Sequence, residues 1–401
     1  IDGVRTAAAV LSCEYAAVSN PTPPNKLASL ARPTLKQPSS LTPSGSVDPR
    51  WAEALLLQHP RLSAAAPMVL WQKAALFAVV IVVAAALWTD SEITAAVVMT
   101  LLTPAFLCVS VLRTFAVHEV LNAPLRSSPA PPPAEPDVDW PVYSILLPLY
   151  REAHMAASIV AALERLKWPA EKRDIIFITE ADDTATRFAL QTEIHGRAGM
   201  RIVTVPPGSP RTKPRALMYA LPLATGAFVV VYDAEDDPEP SQLQEAYVRF
   251  TESGPDLGCL QARLNIYNPD KSWTTRQFTL EYTALFDAIL PAIERLSLPV
   301  PLGGTSNHFR REALENSGGW DPYNVTEDAD LGIRLARMGW RVEMLNSTTW
   351  EEAPPTNAIW LGQRTRWLKG WMQTSLVHLR EPARLLSDLG LGGFIGFNVL
   401  M

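Results

Sequence analysis

The run FVVVYDAEDDPEP, residues 228–240, decides how the rest of the chain is read. Its first half, Phe228, Val229, Val230, Val231 and Tyr232, is apolar without alternation and rich in β-branched residues, the pattern of a strand covered on both faces. The run then turns acidic at Asp233, Ala234, Glu235, Asp236 and Asp237. In an open α/β sheet the ligand crevice lies beyond the carboxyl ends of the strands, so this strand delivers its acids to that edge. Carboxylates packed this closely repel one another unless a cation sits among them. Hard divalent ions take carboxylate oxygens and share them with a diphosphate. An acidic turn closing a core strand is the plainer alternative.

Upstream, residues 142–147, 175–179 and 201–205 read as strands, with helices over 155–167, 185–195 and 213–224. Repeated βα units predict a mostly parallel, Rossmann-like sheet, an α/β fold whose active edge gathers the strand tips. Those tips are polar: Tyr150, Arg151 and Glu152 follow the first strand, and Glu180, Asp182 and Asp183 follow the second. Lys213 opens the helix before the key strand, where ammonium and helix N-terminus could meet a phosphate together. No GxxxxGKS loop is present and no GxGxxG follows a strand, so the usual ATP and dinucleotide cradles are absent. Downstream come a long helical stretch over 273–296, the small-residue segment Gly303, Gly304, Thr305, Ser306, a short helix from 310, and Thr326, Glu327, Asp328 opening a helix to 338. The last constellation is Gln363, Arg364, Thr365, Arg366, Trp367.

In that order these residues resemble the family 2 inverting glycosyltransferases of the cellulose, chitin and hyaluronan synthase type, which show an acid after an early strand, a DxD, a TED and a QxxRW. The similarity covers roughly residues 142–384 and the apolar segments before them. It implies a GT-A fold, with Tyr150, Glu152, Asp182 and Lys213 contacting a nucleotide, usually UDP. Asp233 and Glu235 would hold Mg²⁺ or Mn²⁺ on the diphosphate. Two positions depart from the family pattern: the second DxD acid is Glu235, with Asp236 as the alternative ligand, and the first motif reads EADD, so Glu180, Asp182 or Asp183 could be the base-contacting acid. Glu327 and Asp328 are the candidate catalytic residues. An inverting displacement needs a base facing the acceptor hydroxyl, which points to Asp328. The leaving diphosphate needs donors, supplied by Gln363, Arg364 and Arg366, because a guanidinium fork binds phosphate oxygens in pairs. Trp367 offers a face for a sugar ring, or else a core tryptophan.

The 401 residues carry a net charge of −6, which argues against a nucleic-acid partner. Cys13, Cys108 and Cys259 are too scattered for a disulfide framework, which fits a reducing compartment. The sequence starts at Ile1 rather than Met, compatible with a piece of a longer protein. Residues 1–67 form a weakly structured tail rich in Ala, Pro, Ser and Thr, with a short helix over 48–59. Residues 68–117 read as a membrane hairpin whose link, Thr89 to Glu92, is acidic, while Arg61, Lys73, Arg113 and Arg126 flank it. The positive-inside rule then puts both flanks, and the catalytic domain, on the cytoplasmic side of the inner membrane. A Pro-rich linker spans 118–141, the GT-A domain 142–356 and an interfacial helix 357–388, and a further membrane segment starts at 389–401. The expected function is extension of a β-linked polysaccharide from a nucleotide-sugar, on a glycan or lipid acceptor, with membrane lipid and export or regulatory subunits as partners. The alternatives are transfer of one sugar to a single acceptor and, from a different class, an inactive membrane scaffold.

Overall fold

The computed structural model describes residues 47, 49–122 and 139–401, so the tail over 1–46 and most of the Pro-rich linker lie outside the described residues. Among the described residues, eight strands form one sheet: β1 (Tyr143–Leu149), β2 (Arg173–Glu180), β3 (Met200–Val205), β4 (Phe228–Val231), β5 (Asp237–Pro238), β6 (Leu257–Ile266), β7 (Asn307–Arg310) and β8 (Arg341–Glu351). Their order is β3-β2-β1-β4-β7-β6-β8-β5. The first four run parallel, and each side chain alternates between two cores. Leu146, Val229 and Val231 enter one, while Ile145, Leu147 and Val230 enter the other. The uninterrupted valines of β4 follow from this double burial.

The other half of the sheet is mixed, which corrects the mostly parallel expectation. β7 pairs antiparallel with β4, Val231 opposite Asn307, and antiparallel with β6. The reason lies in the connection. The chain descends a helical rod made of Trp273–Thr283, a π-helical turn Ala284–Ile289 and Leu290–Arg295, and re-enters the sheet at the carboxyl end of β4. Residues 303–306, which lead into β7, are thereby laid beside Asp233.

Residues 49–66, assigned to the tail by their composition, are ordered around a short helix Ala54–Gln58 and bury Trp51 and Leu55. Next come helices Leu70–Thr89 and Ser91–Asn122, both long and apolar enough to cross a membrane. Asp90 alone links them, its carboxylate accepting from Glu92 N and Ile93 N at 3.0 and 2.9 Å. Almost none of their apolar surface is covered by the rest of the chain, unlike that of a soluble core helix.

The expected membrane segment at 389–401 is not found: among the described residues only the two helices before the domain qualify as spans. Residues 389–400 continue the helix Pro382–Leu400, which breaks its regular backbone at Gly390 and buries Leu385 and Phe397 against Ile333. Residues 357–388, read as one interfacial helix, are two helices: Asn357–His378 ends, and Pro382 starts the next at a position where its missing N–H costs nothing.

The helix Glu327–Arg337 crosses the backbone of residues 300–302 at Gly332, where a Cβ would lie 2.3 Å from Val300 O and 3.0 Å from Leu302 N. Main chain cannot yield as a flexible side chain can. Gly332→Ala should therefore cost about 1–3 kcal/mol of stability by overpacking, read as a fall in Tm of the purified protein; an unchanged Tm would contradict this packing.

Candidate active site

The tip of β4 folds into a tight turn in which Asp236 N donates to Asp233 O at 3.3 Å and Asp233 N donates to Asp236 Oδ2 at 2.7 Å. This turns Asp236 inward, where the Thr305 hydroxyl also donates to it. Asp236 is buried, and burial, then Asp233, push its carboxyl well above the aspartate range. It therefore fastens the 303–306 segment to the strand tip, while Asp233 and Glu235 line a cleft of about 1120 Å³. Burial, then Asp233, push Glu235 up to about 7.

Lys213 crosses this cleft. Its ammonium pairs with Asp233 and donates to Gly304 O at 2.8 Å. Burial pulls its pKa down, but Asp233 and Glu327 outweigh that and hold it above the lysine range. Tyr150 and Glu152 line the same side, with the Arg211 and Arg151 guanidinium groups 4.4 and 5.0 Å from the Tyr150 ring. Burial raises the Glu152 carboxyl. Of the three acids after β2, Glu180 lines the cleft and is raised by burial, with Arg215 at 3.9 Å opposing. Asp182 points outward to Arg211 and is not in the cleft wall. Asp183 caps the helix Thr184–Glu193, accepting from Thr186 N at 3.2 Å, and also accepts from Arg151 N. Of the three acids left open by the family pattern, Glu180 alone lines the cleft.

On the opposite wall, Glu327 and Asp328 occupy the first turn of the helix Glu327–Arg337. Burial pushes Asp328 up to about 6, and burial with Asp328 pushes Glu327 up to about 8. Gly304 faces this turn, since a Cβ on it would lie 3.3 Å from Asp328 Oδ2. Helix Asn357–His378 closes the wall, contributing Gln363, Arg366 and Trp367. It approaches so closely that a Cβ on Gly370 would lie 2.4 Å from Thr326 Cγ2. Half-buried Trp367 keeps both of its sequence readings: it packs beside Phe278 and Tyr282, at 6.2 and 6.4 Å between ring centroids, and also lines the cleft. Arg364 does not line it. Three residues before Trp367, Arg364 pairs with Glu281 and packs its guanidinium on rings, 4.8 Å from that of Trp367 and 5.6 Å from that of Phe278.

Sequence reasoning missed Glu351. It ends β8 and lines the cleft, and burial, then Asp236 and Asp233, push it well above the glutamate range. The strand-tip rule would have found it had 341–351 been read as a strand. Among the described residues, no three His, Cys, Asp or Glu side chains gather closely enough to hold a metal alone. Asp233 and Glu235 nevertheless supply hard oxygen donors on one wall. Such a pair fits a divalent ion whose other positions a diphosphate and water would fill.

A family profile described as Glycosyltransferase like family 2 matches residues 141–370, more than half of the chain. The chain belongs to this family. Among relatives, it is 26% identical over 251 residues to a probable glycosyltransferase, YdaM, of Bacillus subtilis (strain 168), covering 62% of this chain and 59% of that protein. It is 28% identical over 239 residues to a probable glucomannan 4-beta-mannosyltransferase 1 of Arabidopsis thaliana, covering 58% and 43%. The chain thus spans about half the length of the curated relatives it matches. A solved structure of the mannosyltransferase PcManGT from Pyrobaculum calidifontis, in complex with GDP-Man and Mn²⁺, superposes with a TM-score of 0.54 at 20% identity, over 73% of this chain and 84% of that one, and shares the GT-A fold. The mixed sheet is how this family 2 domain closes its cleft.

The ring contacts of Arg364 have a measurable consequence. Arg364→Ala should lower stability by about 0.5–2 kcal/mol through its lost contacts with rings, while nucleotide affinity, measured by calorimetry, stays within a factor of ~2. A tenfold loss of affinity at unchanged stability would put Arg364 in the cleft after all.

Proposed function

We propose that the chain is the catalytic part of a membrane-bound inverting glycosyltransferase of the cellulose, chitin and hyaluronan synthase type, which extends a β-linked glycan from a nucleotide-sugar. The observation that carries this reading is the cleft itself: Asp233, Glu235 and Lys213 on one wall, Asp328 on the other, and Gly304 between them. Tyr150, Glu152 and Glu180 would hold the nucleotide, and Asp233 with Glu235 would hold Mg²⁺ or Mn²⁺. That cation, when bound, would neutralise charge on the departing diphosphate. Lys213, Arg366 and Gln363 add fixed donors for the same charge. Asp328 takes the acceptor hydroxyl's proton as its oxygen attacks the anomeric carbon opposite the diphosphate. Burial suits it to this role, because a carboxylate raised to about 6 is more basic than a solvated one yet ionised at neutral pH. Trp367 gives the acceptor ring a surface to stack on.

The donor is UDP-linked by the motif pattern. A second reading, GDP-mannose, is favoured by the mannosyltransferase names of the relatives and by the GDP-Man bound to PcManGT.

The topology is proposed as a hairpin with the catalytic domain in the cytoplasm. Both ends of the hairpin are fastened to the same domain: Ala64 N donates to Asp321 Oδ2 at 2.6 Å before the first helix, and Arg295 pairs with Glu119 near the end of the second. That geometry supports an even number of crossings, and the charge bias of the flanks favours the cytoplasmic side. Lipid, and export or regulatory subunits, complete the proposed setting.

Two experiments test these readings. Asp328→Asn should abolish transfer with nucleotide affinity nearly intact, and wild-type transfer should fall as pH drops from ~7 to ~5 while Asp328 gains its proton. Asp233→Ala should instead weaken nucleotide binding in a metal-dependent way; rescue of Asp328→Asn by added metal, or a flat pH profile, would reverse the roles. In intact cells, a cysteine at Ser91 should react with an impermeant thiol reagent and one at Ala65 should not. The opposite labelling would overturn the cytoplasmic assignment.

A further inference from the structure

Residues 60–66, between the short helix Ala54–Gln58 and the first membrane helix, have no evident reason to be fixed if they only lead the chain into the bilayer. They are nonetheless clipped down by two buried charged side chains. Asp321 is fully buried and accepts from Ser63 Oγ at 3.1 Å, from Ala64 N at 2.6 Å and from Tyr323 N at 3.1 Å. Arg380, 7% exposed, donates from Nη1 to Ser63 O at 2.8 Å and Arg61 O at 3.0 Å, and from Nη2 to Ala66 O. A carboxylate and a guanidinium are taken out of water here, and the strap's own N–H, hydroxyl and carbonyl groups bond the carboxylate and both terminal nitrogens of the guanidinium, leaving Arg380 Nε without a partner among the described residues.

The two anchors belong to the two elements that form the base side of the cleft. Asp321 starts the loop that runs into Thr326, Glu327 and Asp328. Arg380 follows the last turn of the helix that carries Gln363, Arg366 and Trp367. Loop and helix are also stitched to each other: Val325 N donates to Gln373 Oε1 at 3.1 Å, Gln373 Nε2 donates to Tyr323 O at 3.1 Å, and Asn324 Nδ2 donates to Thr374 Oγ1 at 3.0 Å. The strap then continues into the first membrane helix, where Trp71 Nε1 donates to Arg380 O at 3.2 Å and Gln72 Nε2 to Leu376 O at 2.8 Å.

We infer that Ser63, Asp321 and Arg380 are positioning residues: through them the segment entering the membrane holds the Asp328 turn against the Arg366 helix and so fixes the spacing across which acceptor and donor meet. The inference rests on the proposed transfer reaction. None of the three touches the cleft, so their effect must pass through the loop and the helix end. If that spacing loosens, water enters where the acceptor hydroxyl should stand. The same bond from anomeric carbon to diphosphate oxygen then breaks, with water as the nucleophile, giving free sugar and nucleoside diphosphate. A small misplacement suffices, because catalysis by orientation is steep in distance.

The test uses the full chain in detergent, with Ser63→Ala, which leaves the Ala64 N–H bond to Asp321, and Arg380→Lys, which keeps the charge but cannot fork to several carbonyls. Backbone hydrogen exchange of residues 321–330 and 370–380 should speed up in both variants, with or without substrate. With UDP-sugars and GDP-mannose as probes, the ratio of sugar transferred to sugar hydrolysed should fall about tenfold, at unchanged affinity for UDP or GDP. The ratio is taken per sugar consumed, so a smaller folded fraction does not move it. Exchange unchanged in both segments overturns the inference, and so does faster exchange with an unaltered ratio, which would make the strap a structural tether only. If the wild type consumes neither class of donor, the proposed reaction fails instead, and exchange alone decides the coupling.

Discussion

The Lys213 ammonium holds the cleft together. It bonds the tip of β4 at Asp233 and the carbonyl of Gly304 on the segment entering β7, so one cation ties the parallel half of the sheet to the antiparallel half. Around it stand Asp233, Glu235, Asp236, Glu327, Asp328 and Glu351. Acids this close and this buried cannot all ionise, and several are accordingly pushed up. A diphosphate brought into the cleft adds still more negative charge, and the cations that line it, Arg211, Lys213, Arg366 and Lys369, are outnumbered by its acids. This balance is the physical argument for a divalent ion arriving with the nucleotide, independent of any motif.

What makes the balance possible is the reversal at β7. A continued parallel sheet would have carried residues 303–306 to the far edge. Because β7 runs against β4, Gly304 arrives beside Lys213 and within contact of the Asp328 turn, and Thr305 reaches Asp236. Behind the strands a buried polar layer fixes the register: Tyr143 OH meets His308 Nδ1 at 2.7 Å, and Gln242 accepts from Tyr232 OH at 2.8 Å and donates to Thr349 at 3.1 Å. Burial pulls His308 down to about 3, so it stays neutral and serves as a spacer with two hydrogen-bonding ends.

The parallel half was legible because its signal is local: apolar runs of strand length with polar tips and amphipathic helices between. The same rule put Tyr150, Glu152, Glu180 and Asp233 at one edge, whereas Lys213 was read from its helix start and Glu327–Asp328 from the family pattern. It failed where long-range contacts decide. β8 reads RVEMLNSTTWE, and its Ser347 and Thr349 look like loop residues because the layer they face is polar. Glu235 or Asp236 could not be chosen from spacing, since Thr305, far along the chain, draws Asp236 inward. Asp183 could not be told from Glu180 without knowing that it caps a helix. Arg364 and Arg366 differ only in which side of one helix they occupy, and that rotation is set by Gly370 resting on Thr326. The apolar segment at 389–401 resembled a span by composition, yet Gly396 serves close packing, since a Cβ on it would lie only 2.8 Å from Leu298.

The helix that carries Asp328 is held from below by charges that never see the cleft. Asp330 and Arg334, both fully buried, pair at 2.8 Å, and His378 Nε2 meets the other Asp330 oxygen at 3.0 Å. Burial opposes ionisation of Asp330, but Arg334 and His378 hold it below its usual range. Such a group adds little net stability over an apolar core, whereas losing one member strands a buried charge at a cost of about 3–5 kcal/mol. Its value is therefore geometric. Arg337 extends the chain of contacts to Asp388 at 2.7 Å and to His378 at 3.1 Å, so the helices starting at Glu327, Asn357 and Pro382 share one polar seam. An apolar interface would tolerate sliding by a fraction of a turn. A seam of directional bonds does not, and the base proposed at Asp328 would have use for that rigidity.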